Sequence, residues 1–175
     1  LTETIYIPLI KYTGTVGPKL VQLLSAVGTS ILIFKTSRKL NLNHFWSLVA
    51  VSCFYATWLV SWESSSAYID LFRGFLEMIS LYQLLFGSWV IGGVFLGLAI
   101  GTKWLALGSL VIFSFIFGKK IIIPAVVVAI PWFLVSFHYT GNPIFPVFSH
   151  IIDNTFLGFS TLFWHLVFPH FYFTF

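Results

Sequence analysis

The chain has 175 residues, of which 58% are hydrophobic and only 8% are charged. An average soluble domain carries about 25% charged residues, so this composition argues against a water-soluble globular protein and favours one that lies in a membrane. The net charge of +4 comes from nine scattered Lys and Arg residues, most of them at the ends of apolar runs. It therefore indicates membrane topology and not nucleic-acid binding.

Continuous apolar runs along the chain predict membrane-spanning helices, because lipid cannot satisfy the free backbone groups of irregular chain. Six spans are predicted, at residues 18–34, 44–60, 69–86, 89–102, 104–118 and 121–139. Segment 156–175 is expected to form a seventh span or a helix at the interface, and its aromatic residues with His165, Pro169 and His170 favour the interface. The predicted fold is an all-α, polytopic transmembrane helix bundle of about 6–7 spans.

The ends of the sequence and its single cysteine add little to this prediction. The chain starts at Leu1 and stops at Phe175 without a signal peptide, so we interpret residues 1–175 as one transmembrane domain that is a fragment of a longer protein. Cys53 lies inside an apolar run, where it is expected to be a small packing residue and forms no disulfide framework.

The basic residues orient the predicted spans. Lys35, Arg38 and Lys39 follow the first span, so the positive-inside rule makes that loop cytoplasmic. The apolar run 89–118 would be about 45 Å long as one helix, against a hydrocarbon core of about 30 Å. Dividing it near Lys103 returns the next basic pair, at positions 119 and 120, to the cytoplasmic side.

This topology has a consequence for the polar residues. Asp70, Lys103 and the turn at residues 140–143 all fall on the exterior side, although they come from separate parts of the sequence. Three polar features are therefore expected to converge on one face of the bundle.

Asp70 is one of only five acidic residues in the chain. Asp70, Arg73 and Glu77 are spaced three and four residues apart, which places them on one helix face. This pattern is typical of a charge ladder that packs a helix against its neighbours, and Glu77, deeper in the helix, fits that role best. The alternative for Asp70 is a carboxylate near the outer surface that activates or orients an acceptor hydroxyl.

Lys103 follows a glycine-rich apolar segment. Its ammonium group could hold a phosphate, or it could extend to the interface as a residue that marks the membrane boundary. Gly93, Gly97 and Gly101 recur every four residues and predict a smooth ridge for close helix packing. They do not match a phosphate-binding loop.

The segment Thr140-Gly141-Asn142-Pro143-Ile144-Phe145-Pro146 predicts a rigid turn that ends a span. The histidines at positions 138, 150, 165 and 170 are irregularly spaced and make no zinc signature. We assign no cofactor on these patterns and leave a divalent metal ion open.

Three segments in this order resemble a known family. They are Ser66-Ala67-Tyr68-Ile69-Asp70-Leu71, Gly97-Leu98-Ala99-Ile100-Gly101-Thr102-Lys103, and Pro131-Trp132 followed by the turn at 140–146. Together they resemble bacterial polytopic glycosyltransferases of the GT-C class, in the protein mannosyltransferase and ArnT-like group that includes the RgtA/B/C/D-like proteins. The resemblance covers about residues 1–150.

The resemblance implies transfer of a sugar from a polyprenyl-phosphate carrier to an acceptor at the exterior face of the cell membrane. Asp70 matches an acidic position at the exterior start of a helix, and it is expected to support a main catalytic acid that lies upstream of Leu1. Lys103 matches the lysine after the glycine-rich helix. Lys103, Arg73, Asn142 and Glu3 are expected to contribute to substrate binding. The expected partners are the lipid-linked sugar, the acceptor and membrane lipid.

Two other classes stay open at this point. A transporter or flippase could use the same polar groups as a substrate path. A large exterior loop rich in Arg and His would favour a polysaccharide polymerase or ligase of another membrane family. Matching broken helices in two halves of the chain, which many transporters show, are absent from this sequence.

Overall fold

The computed structural model describes residues 1–145, and this part of the chain is helical, with no β-strand. The helices are α1 (Thr2–Thr13), α2 (Val16–Lys39), α3 (His44–Ala56), α4 (Trp58–Glu63), α5 (Asp70–Phe86), α6 (Trp89–Thr102), α7 (Ala106–Phe117) and α8 (Ile122–Thr140), with a 3-10 turn at Lys119–Ile121. The chain divides into two compact units, Leu1–Val128 and Ala129–Phe175, so that the boundary falls within α8.

The all-helical prediction is confirmed for the described residues, and two helices are long and apolar enough to cross a membrane. These are Val16–Lys39 and Lys119–Thr140. The apolar helices α3, α6 and α7 are shorter, at 13, 14 and 12 residues. At 1.5 Å per residue they span about 20 Å, less than the hydrocarbon core of a bilayer. The predicted segment 156–175 lies outside the described residues.

The helix boundaries agree with the predicted spans at one point and differ at two. The run 89–118 is divided as predicted, because Lys103 has extended backbone angles (φ −154°, ψ 125°) between α6 and α7. The predicted span 44–60 is instead broken at Thr57, which is also extended (ψ 122°). In addition, α1 forms a helix that the sequence did not predict, with Pro8 inside it.

Helix α5 lies at the centre of the first unit, where it packs against α2, α6, α7 and α4. Small residues allow the closest approaches. A Cβ atom built on Gly28 of α2 would lie 2.9 Å from Cζ of Phe75 on α5. On α6, a Cβ atom at Gly93 would lie 2.9 Å from the carbonyl oxygen of Ile121, so the glycine ridge is used for packing, as predicted.

Large apolar side chains are exposed along α2, α7 and the first part of α8. Leu24 is 66% exposed, Val111 68%, Phe115 93% and Ile123 70%. Water would make such a continuous apolar surface unfavourable, whereas acyl chains would not. The hydroxyls of Ser25, Ser30 and Thr102 meanwhile donate to the carbonyl oxygen four residues earlier, which satisfies them within their own helices.

We expect Gly97→Ala to lower the free energy of unfolding by about 1–3 kcal/mol, because the added methyl group overpacks the contact between α6 and α8. A Cβ atom at Gly97 would lie 2.8 Å from Cβ of Val128 and closer still to the carbonyl oxygen of Ala125. Gly108 on α7 has open space around the same position, so Gly108→Ala is the matched control. It should be neutral or stabilise the protein by about 0.5–1 kcal/mol. Equal effects of the two variants on thermal unfolding in detergent would contradict close packing at Gly97.

Candidate functional site

A hydrogen-bond network that begins at Gln22 holds the first turn of α5, where Asp70 lies. The Gln22 side chain is fully buried, and its Oε1 accepts a hydrogen bond from the backbone N–H of Phe72 at 3.3 Å. This N–H belongs to the first turn of α5, where helical partners are lacking, so Gln22 satisfies a donor that would otherwise be orphaned. The negative charge of Asp70 at this end also interacts favourably with the helix dipole.

The same glutamine ties α5 to α1 through Tyr6. Nε2 of Gln22 donates to the Tyr6 hydroxyl oxygen, and this hydroxyl in turn donates to the carbonyl oxygen of Tyr68 at 2.7 Å. Burial raises the pKa of Tyr6 above its usual value, an effect that the Gln22 hydrogen bond partly offsets, so the phenol stays neutral and keeps its donor. Helices α1 and α2 thereby fix the segment that precedes Asp70.

Lys103 reaches Asp70 from the end of α6. Its Nζ lies 2.9 Å from Oδ1 and 3.2 Å from Oδ2 of Asp70, across 33 positions of sequence. The Asp70 side chain is 24% exposed and that of Lys103 is 36% exposed. The two residues thus form a half-buried ion pair that joins the beginning of α5 to the end of α6.

Arg73 and Glu77 continue the charged row along α5. Nη1 of Arg73 donates to Oε1 of Glu77 at 3.0 Å, and Nε of Arg73 lies 3.6 Å from Oδ1 of Asp70. That separation is too long for a hydrogen bond. The Nε–H is buried and has no hydrogen-bond partner among the described residues. Arg73 is therefore held between two carboxylates, with its buried Nε–H donor unused.

Glu63 is the residue of this cluster that sequence reasoning missed. It ends α4 and its side chain is buried, with 6% exposure. Burial raises the pKa of the Glu63 carboxyl above its usual range, and the charge of Asp70 raises it further, against smaller opposing effects of Lys103 and Arg73. The sequence offered one signal: Glu63 is acidic, and the chain has only five acidic residues. Its burial depends on how α4 meets α5.

Three carboxyl groups and two cations therefore share one end of the helices. Glu63, Asp70 and Glu77 face a local positive charge that comes from Arg73 and Lys103. With all of them ionised the cluster would carry one excess negative charge. This excess acts in the same direction as burial, because the negative charge of Asp70 also raises the pKa of Glu63.

Asn142 lies in the second unit and stabilises a turn. Its Oδ1 accepts a hydrogen bond from the N–H of Ile144 at 2.9 Å, and its own N–H donates to Oγ1 of Thr140 at 3.1 Å. Gly141 has a positive φ of 69°, as the sequence of the turn led us to expect. The convergence of this turn with Asp70 and Lys103, and a role of Asn142 in substrate binding, stay predictions.

Glu3 and a possible metal site are the remaining features considered in the sequence. Glu3 lies in the first turn of α1, and its role in substrate binding stays a prediction. Within residues 1–145, no three His, Cys, Asp or Glu side chains are grouped so that they could hold a metal ion.

No family model, curated protein or solved structure matches the chain.

The raised pKa of Glu63 predicts a pH-dependent stability. A carboxyl whose pKa is higher in the folded state binds more protons when folded, so its contribution is favourable at low pH. That contribution is lost as pH rises from about 4.5 through the folded-state pKa. Glu63→Gln should therefore unfold at a higher temperature than wild type at neutral pH and lose less stability than wild type as pH rises above about 4.5.

Glu77→Gln is the matched control for this experiment, because Glu77 is ion-paired with Arg73 and Glu63 has no such bond in the described structure. Its removal leaves Arg73 unpaired on that side and should lower the unfolding temperature at neutral pH. A Glu63→Gln variant with the wild-type pH profile would contradict a raised pKa of Glu63.

Proposed function

We propose that this chain is the transmembrane portion of a glycosyltransferase that moves a sugar from a polyprenyl-phosphate donor to an acceptor at the exterior face of the membrane. The observation that carries the proposal is the ion pair between Lys103 and Asp70, with Arg73, Glu77 and Glu63 around it. It sets a cation suited to phosphate beside carboxyl groups suited to a hydroxyl. The sequence resemblance to GT-C enzymes supplies the reaction class.

The proposal requires a multi-pass helix bundle, and three observations support one. Two helices are long and apolar enough to cross a membrane, and the helices between them expose apolar side chains. Large aromatic residues around the charged cluster are exposed as well: Trp58, Trp62, Tyr68 and Trp104. Tryptophan and tyrosine favour the membrane–water interface, which supports a position of the cluster at that depth, and the proposal takes the exterior side from the predicted topology.

In the proposed reaction, the acceptor hydroxyl oxygen attacks the anomeric carbon of the sugar. The bond between that carbon and the phosphate oxygen breaks, and the phosphate leaves with the electron pair, while the hydroxyl proton passes to a carboxylate. Lys103 is the most exposed cation of the cluster, and an ammonium group has three donors, of which Asp70 uses two. It is therefore suited to bind the phosphate and stabilise its developing charge.

Asp70 is proposed to act as a positioning residue. Both of its oxygens already accept hydrogen bonds from Lys103, so its first effect is to hold that ammonium group in place. Glu63 has a raised pKa, and a carboxyl group of this kind exchanges protons closer to neutral pH than an ordinary glutamate does. We propose that it participates in proton transfer beside the main catalytic acid predicted from the family resemblance.

One observation favours a transporter or flippase as a second candidate. The ion pair from Arg73 to Glu77 extends from the cluster toward an apolar cavity of about 320 Å³ that Glu77 and Thr29 line. A polar row that leads into a cavity could conduct a head group across the membrane. Movement of a labelled lipid-linked sugar across vesicles without formation of a glycosylated product would support this function over transfer.

The experiment is a transfer assay with the full-length protein in membrane vesicles and a panel of polyprenyl-phosphate hexose and pentose donors. We expect Lys103→Ala and Asp70→Asn each to lower kcat/KM about ten-fold, because each loses roughly 1.4 kcal/mol of transition-state stabilisation. Lys103→Arg should recover part of the activity, since it restores a cation. Lys19→Ala removes an equivalent exposed charge from the first turn of α2 and should leave activity within about two-fold of wild type.

Folding is checked in each variant by its thermal unfolding temperature, so that loss of activity is separated from loss of structure. Wild-type kinetics in both Lys103→Ala and Asp70→Asn would remove the site assignment. Absence of transfer by the wild-type protein with every donor of the panel would contradict the proposed function.

A further inference from the structure

A second charged surface lies at the opposite end of the helices from the Asp70 cluster. Helix α2 ends beside the end of α5, because Nζ of Lys39 lies 4.9 Å from the ring centre of Tyr82 and 4.8 Å from that of Phe86. The 3-10 turn after α7 lies against the first part of α6, which begins three residues after α5 ends, because a Cβ atom on Gly93 would lie 2.9 Å from the carbonyl oxygen of Ile121. Helices α2, α5 and α7 therefore end at a common face.

Five basic residues occupy this face: Lys35, Arg38, Lys39, Lys119 and Lys120. All five are exposed. The acidic residues among positions 1–145 are Glu3, Glu63, Asp70 and Glu77, which lie in α1, in α4 and in the first half of α5. No carboxylate of the described chain therefore neutralises these five basic residues, which we name the basic face.

Two members of the basic face are held in place by neighbouring groups. Nζ of Lys39 lies 4.9 Å from the ring centre of Tyr82 and 4.8 Å from that of Phe86, which is cation–π geometry. Nη1 of Arg38 donates to the carbonyl oxygen of Leu42 at 2.7 Å. The ammonium groups of the other three lysines have no ion-pair partner in the part of the chain that the structure describes.

The surroundings of the basic face are those of a membrane interface. Trp46 near the start of α3 and Trp89 at the start of α6 are 56% and 48% exposed. Val111 and Ile31, about two turns before the ends of α7 and α2, are 68% and 50% exposed. A band of aromatic residues between an apolar surface and a row of cations matches the layers of one bilayer leaflet, from acyl chains to phosphate.

We propose that the basic face binds the phosphate groups of anionic phospholipids in the adjoining leaflet. The cations lie at the end of α2 and in the turn after α7, beside an exposed apolar surface, so acyl chains and head group are accommodated together. A free phosphate ion would gain only the charge interaction. The proposal requires the chain to span a membrane, but it is independent of sugar transfer, so the failure of one does not decide the other.

The test compares the protein in nanodiscs of phosphatidylcholine alone and in nanodiscs that also contain phosphatidylglycerol. Thermal unfolding and native mass spectrometry report stability and retained lipid. Phosphatidylglycerol should raise the unfolding temperature of wild type and remain bound, and high salt should weaken both effects. The double variant Lys119→Gln/Lys120→Gln should bind it roughly five-fold more weakly for each charge removed.

Two controls make the result specific. Lys11→Gln/Lys19→Gln removes the same charge outside the basic face and should keep the wild-type response. Lys119→Arg/Lys120→Arg preserves the charge and should also keep it, which separates lipid binding from disturbed folding. An unchanged response in Lys119→Gln/Lys120→Gln would overturn the proposal. So would an equal rise in unfolding temperature caused by inorganic phosphate in phosphatidylcholine nanodiscs.

Discussion

The ion pair between Lys103 and Asp70 connects the end of α6 to the beginning of α5. Because α5 and α6 are packed along their lengths, this contact sets their ends level with each other. The charges of this pair act on Arg73 and Glu63, and Glu77 joins the cluster through its ion pair with Arg73. In an apolar chain, such a charged group is expensive to place, and it persists when each member has an opposite charge nearby.

The neutral network below the pair explains how the cluster keeps its geometry. Gln22 bonds to Tyr6 and to the first turn of α5, so three helices share a single buried amide. Loss of one partner would leave the others buried and unsatisfied, which costs about 1–3 kcal/mol for each group. Charge is thus separated along the helices. The mixed cluster lies at one end, the basic face lies at the other, and the glycine ridge of α6 packs between them.

The sequence predicted the features that depend on length, hydropathy and the order of charges. The division at Lys103 followed from a run too long for one span and from the basic pair after Gly118, while the orientation of the helices in a membrane stays a prediction. The features it did not predict depend on contacts between distant segments. Helix α1 is short and contains Pro8 and Lys11, so it has no span-like pattern, and the break at Thr57 interrupts a run that stays apolar on both sides. The burial of Glu63 arises only when α4 meets α5.

A double-mutant cycle on Asp70 and Lys103 tests the central claim most directly. Unfolding free energies would be measured for wild type, Asp70→Asn, Lys103→Met and the double variant in the same detergent. The account predicts that the double variant is less destabilised than the sum of the single variants, by about 1 kcal/mol for a half-exposed pair. Strictly additive effects would show that the two residues do not interact and would contradict the proposed site.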